Sequence, residues 1–177
     1  MLRLLRLACL SPSVGNSQPW RFVRVRSPNL RTRLAEHADA EVARSADRYT
    51  SDEQRDHYLS LKLHGIVEAP ELIAVFSDEQ PAAGHGLGIA TMPEAMRYST
   101  VTAIHSLWLA ARASGIGIGW VSILDPRTVT EMLAVPREWA LIALLCIGYP
   151  ADHSDVPELE ERGWQEQHGT AGKIFDR

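Results

Sequence analysis

Two segments of this chain carry side chains that a hydrophobic core does not need. The first, Ser11-Pro-Ser-Val-Gly-Asn-Ser-Gln-Pro-Trp20, sets the hydroxyl and amide groups of Ser13, Asn16 and Gln18 between two prolines. The second, Gly115-Ile-Gly-Ile-Gly-Trp-Val-Ser122, enters a strand through alternating glycines. Serine, asparagine and glutamine donate and accept hydrogen bonds without carrying charge, so they can read the edge of a neutral ring. Glycine inside a strand weakens it unless something approaches the backbone closely. Together the segments suit a flat ring with polar edges, one face lying against bare backbone. Turn composition accounts for much of the first segment, since Ser, Asn, Gly and Pro favour loops. A helix stop accounts for Gly115. Neither explains Gly117, Gly119 and the Gln18-Pro19-Trp20 exit together, and a site draws convergent groups from separate segments.

Other chemistries find little support. The seven histidines form no H-E-x-x-H and no Cys/His pairing at ligand spacing, so no metal is expected. There is no G-x-S-x-G elbow and no phosphate loop ending in G-K-[ST]. Gly84-x-Gly86-x-Gly88 lacks the preceding strand of a dinucleotide fingerprint. Asp152-His-Ser-Asp155 reads as a polar turn rather than triad material. Cys9 and Cys146 lie in apolar runs and are expected as reduced core thiols. A formal charge of −4 argues against a nucleic-acid partner. Leu2–Leu10 is broken by Arg3 and Arg6, too short to span a bilayer and without a clear cleavage site. The expectation is a cytoplasmic, soluble protein with no membrane partner.

The elements that must position the two segments follow from periodicity. Leu2, Leu5 and Cys9 share a helical face that Ser11-Pro12 ends. Arg21–Arg26 alternates as a half-buried strand. Asn29 is placed to cap a helix running to Ala46. Asp47–Gly65 reads as a helix with a mobile start, and Glu71–Phe76 as a short buried strand. Gln80–Pro93 is a glycine-rich loop of a length that often carries function. Glu94–Ser114 is so apolar that it is expected to pass through the core. Gly117–Leu124 is a strand, Asp125-Pro126 opens a capped helix, and Trp139–Ile147 is a central strand. The chain is expected to form one α+β domain over residues 1–177, with residues 151–177 as its extended C-terminal tail.

The quoted segments closely resemble the nitroreductase-like flavoproteins. The resemblance sharpens when Leu61-Lys-Leu-His-Gly-Ile66, Glu68-Ala-Pro70, Gly86-Leu-Gly88, Thr91-Met-Pro-Glu94, Tyr98-Ser99, Leu107-Trp-Leu-Ala-Ala-Arg112 and Gly163-Trp164 are added. In order from Leu4 to Trp164, the chain is similar to the flavin-fragmenting branch, the 5,6-dimethylbenzimidazole synthases. That resemblance implies a mainly antiparallel sheet flanked by helices and an intertwined homodimer whose flavin pocket draws on both subunits. It implies reduced FMN as substrate, supplied by a separate flavin reductase, and O2 as co-substrate. The products would be 5,6-dimethylbenzimidazole, the lower ligand of cobalamin, and a four-carbon sugar phosphate. By resemblance, Ser13, Gly15, Asn16, Gln18, Leu61, Lys62, Gly119, Trp120, Val121 and Ser122 contact the flavin. Trp120 and Val121 would do so through backbone, with Ser122 as the catalytic hydroxyl and Tyr49–Gly65 as a lid.

Departures from the resemblance bear on the phosphate. The family opens with an arginine-rich segment that grips FMN phosphate and supplies an aspartate. No residue here corresponds to it, Met1 falling inside the helix that follows. A basic residue expected near the end is Gln167, with Lys173 or Arg177 as substitutes, and His64, His105 and Ser106 also stand in place of the residues expected. Either the native protein is longer or a shortened relative has lost phosphate anchoring, in which case riboflavin and FMN should bind alike. An NAD(P)H-dependent flavin or nitro reductase of the same fold, and a flavin-binding relative without turnover, stay open as alternatives.

Overall fold

In the computed structural model, which describes residues 1–152, 154–170 and 172–175, the core grows outward from a strand buried on both faces. This is β2 (Glu71–Asp78), whose residues Leu72 to Phe76 are all fully buried. It pairs antiparallel with β1 (Trp20–Arg24) on one side and β4 (Trp139–Gly148) on the other. β3 (Gly117–Val121) closes the sheet beside β4, giving the order β1-β2-β4-β3, antiparallel throughout. The α+β expectation and its antiparallel sheet are met. A register shift between Val75 and Phe76 carries Ala143 and Leu141 opposite them, an irregularity of the bulge type.

Alternation along the strands splits the core in two. On one face Leu72, Ala74, Phe76, Val121 and Leu144 meet Leu34, Ala35 and Ala38 of α2 (Pro28–Ala46) and Val129 of α5 (Pro126–Met132). On the other, Ile73, Val75, Leu145 and Ile147 meet Leu4 and Ala8 of α1 (Leu2–Ala8) and Ile104, Leu107 and Ala111 of α4 (Ala95–Arg112). Truncating one such fully buried leucine to alanine costs about 2–5 kcal/mol. The basic residues of β1 are neutralised: Arg21 pairs with Asp78 and Arg24 with Glu71, each at 2.5 Å.

Several local expectations are corrected. Ser27, rather than Asn29, caps α2, accepting from Leu30 N–H with Pro28 in the first turn. The segment 47–65 holds a shorter helix, α3 (Asp52–Ser60), capped by Ser51. β3 ends at Val121, because residues beyond it turn into the Asp125 cap of α5. Cys9 is exposed at the end of α1, since the buried face of that helix is Leu4 and Ala8, while Cys146 is partly buried. Burial pushes the Cys146 thiol up from its ordinary range.

α4 differs most. It lies on the sheet rather than through the core, one side buried and the other exposing Tyr98, Val101, Trp108 and Leu109. Its apolar excess belongs to that second face. The tail is not wholly extended: Glu158–Glu161 forms a helical turn, α6, and Trp164 packs on its own chain. Three glutamates in the first turn complement the positive helix end. His153 and Arg177 lie outside the described residues. Among the described residues no helix is long and apolar enough to cross a membrane.

Candidate functional site

The first segment folds into a tight polar turn. Val14–Asn16 makes a single 3-10 turn, and Ser13 Oγ accepts the Gln18 backbone N–H at 3.0 Å. Asn16 and Gln18 hold left-handed backbone, φ 54° and 48°, unusual away from glycine. Such conformations persist where the surroundings over-determine them, often at sites. The two amides are exposed, joined only by long 3.4 Å contacts from Gln18 Nε2 to Asn16, so both remain able to bind.

α4 and the glycine loop hold this turn. Ser99 Oγ accepts the Val14 N–H at 3.0 Å, Ser106 Oγ accepts from Ser11 Oγ at 2.8 Å, and Ser17 lies 3.5 Å from the Met96 sulfur. A Cβ on Gly15 would sit 2.9 Å from the Leu87 carbonyl oxygen and 3.0 Å from that of Gly84. A Cβ on Gly84 would in turn meet Ser17 Cβ at 2.8 Å. Gly15 is thus required by packing against loop 84–88, whatever its backbone contacts besides. Ser99, Ser106 and Gly84 stand out in the sequence as part of a resemblance, a departure from it and a glycine loop, but their hold on the turn is visible only in the fold.

Gly119 is the opposite case. A Cβ there would meet only Cys146 Cβ at 3.7 Å and its oxygen at 3.9 Å, ordinary contact distances. Packing inside the chain therefore does not require glycine, and Gly119 is exposed. The β3 backbone at this edge of the sheet is left bare there. Val121 is buried and offers only its backbone, Trp120 is half-exposed, and Ser122 stands exposed just past the strand.

Leu61 and Lys62 follow α3. Leu61 is buried, while Lys62 Nζ bonds Glu68 at 2.9 Å, the contact that chiefly holds the Glu68 carboxyl below its ordinary range. The Gly65 backbone lies near enough to the Cys146 thiol to oppose part of the rise that burial causes, and Cys146 is also the neighbour of Gly119. The 61–65 segment thereby reaches the β3 end of the sheet. The turn stands apart. A cavity of about 190 Å³ takes in Val14 and Ser17. Another of about 290 Å³ takes in Leu61 and Lys62. A third, of about 270 Å³ between α4 and β3, takes in Trp120 and Trp108. The chain presents these groups on its surface in three places. Among the described residues no cluster of His, Cys, Asp and Glu is arranged to hold a metal.

The nitroreductase family profile matches residues 1–149. The chain belongs to the nitroreductase family. It is 57% identical over 164 residues to the 5,6-dimethylbenzimidazole synthase of Rhodospirillum rubrum, covering 92% of this chain and 77% of that protein. It is 48% identical to the synthase of Rhodobacter capsulatus, covering 93% and 79%. Among solved structures it resembles oxidised iodotyrosine deiodinase bound to FMN and 3-iodo-L-tyrosine, with TM-score 0.69, 25% identity, and 89% and 81% coverage.

Proposed function

We propose that this protein is a 5,6-dimethylbenzimidazole synthase acting on reduced FMN with O2. The observation that carries the reading is the high identity to two synthases along most of the chain. The exposed Gly119 backbone supports it independently. When bound, reduced FMN would supply both the electrons that O2 takes up and the carbon skeleton of the benzimidazole.

The chain's own residues would bind, orient and move a proton. Asn16 and Gln18 present uncharged donors and acceptors to the ring edge from a turn that Ser13 and Ser99 hold. Gly119 lets the β3 backbone at Trp120 and Val121 lie against the ring. Ser122 places a hydroxyl past the strand end, where it can hold or relay a proton, a step worth about 10²–10⁴-fold. Residues 49–65 would keep water from the site.

The site would be completed by a second copy. The exposed face of α4, with Tyr98, Val101, Trp108 and Leu109, continues into Trp120. An apolar surface of this kind marks an interaction site, and a homodimer would bring one copy's turn towards the other's β3 end. Sedimentation should give a dimer at micromolar concentration, and Trp108→Glu a monomer that loses flavin binding.

The deciding experiment supplies reduced FMN and O2 and separates the products. Release of 5,6-dimethylbenzimidazole is expected, with Ser122→Ala losing it while flavin reoxidation stays nearly unchanged. Rapid reoxidation by the unsubstituted protein with no benzimidazole would replace the synthase reading with that of a flavin reductase.

A further inference from the structure

An aromatic cluster ties the C-terminal tail to α3. Trp164 stands edge-on to Tyr49, centroids 5.8 Å apart at 89°, and to His57 at 5.5 Å and 72°. It lies 6.1 Å from the Tyr58 ring, and Tyr58 is 5.0 Å from Tyr49. Edge-to-face contacts of this kind add specific attraction beyond the area they bury. A hydrogen bond runs beside the rings: His57 Nε2 donates to the Arg162 carbonyl at 2.9 Å. The tail is shaped for this contact. Gly163 turns the chain at φ 70° with open space around it, and the Trp164 N–H returns to the Leu159 carbonyl at 2.8 Å.

α3 has few other attachments. Its one buried side chain is Tyr58, and Leu59 is exposed. A helix with so little buried apolar surface opens at a small fraction of the free energy of global unfolding. Leu61 and Lys62 come directly after it, and the chain then bonds back through the Ala69 N–H to the Gly65 carbonyl at 2.9 Å.

We propose that Trp164 is a positioning residue: its ring clamps α3 to the tail and so sets how often the stretch leading to Leu61 and Lys62 opens. The consequence for ligand exchange rests on the flavin reading above; the clamp itself does not. Release of the tail would free α3, so the tail would act as the latch of the site's cover.

Hydrogen exchange on the flavin-free full chain tests the clamp. In Trp164→Ala, amides of residues 52–60 should exchange faster by on the order of tenfold, while those of residues 72–76 and 143–147 keep their protection. Trp164→Phe, which keeps a ring, should restore most of the difference. Unchanged exchange in 52–60 would overturn the proposal, as would a parallel rise in the sheet, which would make Trp164 merely stabilising. FMN dissociation, followed by flavin fluorescence, should quicken in Trp164→Ala by about the factor seen in exchange. If α3 loosens but FMN leaves at the original rate, the positioning role is refuted. If the unsubstituted protein binds no FMN, the flavin reading fails while the exchange data still decide the clamp.

Discussion

Ser99 Oγ takes the Val14 backbone N–H at 3.0 Å and gives its own proton to the Ala95 carbonyl at 2.6 Å. One buried hydroxyl on α4 therefore fixes where the polar turn begins. A serine can bond back to its own helix in this way and still accept from outside, because its oxygen carries two lone pairs. The turn's neutral donors owe their position to a helix distant in sequence.

Ser99→Ala should leave the Val14 N–H without its partner. The cost is about 1–3 kcal/mol, that of a part-buried donor left unsatisfied. Urea unfolding would measure it, and flavin titration should show weaker binding at a temperature where the variant remains folded. Stability and flavin affinity both equal to those of the unsubstituted protein would show that the turn holds without Ser99.

The two glycines should respond in opposite ways to alanine. Gly15→Ala forces a side chain into left-handed backbone, worth roughly 1–2 kcal/mol, and collides with backbone oxygens of loop 84–88 that cannot swing aside. It should lower the melting temperature clearly. Gly119→Ala has room within the chain and should melt within a few degrees of the parent, yet bind flavin at least about tenfold more weakly, one tenfold step being about 1.4 kcal/mol. Undiminished flavin binding by Gly119→Ala would sink the bare-backbone argument.

Asp125 makes the stability depend on acid. Its carboxylate caps α5, Oδ1 accepting from Thr128 Oγ1 at 2.6 Å and from the Thr128 N–H at 2.8 Å, and these bonds hold its titration below the ordinary 3.8. A carboxyl lowered by folding stabilises the protein fully above its unfolded value, and that contribution fades as pH falls through the folded value. Asp125→Ala should therefore melt below the parent at pH 7, with the gap narrowing below pH of about 4. Melting curves across that range would settle it; a gap of constant size would exclude the charged cap as its source.

Much of the architecture was legible in the chain. The runs that form β2 and β4 are apolar without alternation, as suits a strand covered on both faces, and Asp125-Pro126 announces a helix start through local bonding alone. Residue types likewise marked residues 11–20 and 115–122 as unusual, since neutral donors and strand glycines serve no core. The α2 cap is Ser27 rather than Asn29, a local signal that Ser27-Pro28 carries itself. Other corrections depend on a neighbour: Cys9 is turned outward because α1 buries Leu4 and Ala8 instead. α4 looked like a core helix because hydrophobicity reports that a face will be covered without saying by what.

The sequence by itself determined the strands, the helix signals and the chemistry on offer, because periodicity, capping and hydrogen-bonding capacity are properties of a few adjacent residues. Only the tertiary structure separated Gly15, locked against Leu87, from Gly119, left bare beside Cys146, and brought Trp164 onto Tyr58. Those assignments depend on which distant segments fill the space around a residue, and packing of that kind is decided when the whole chain has folded.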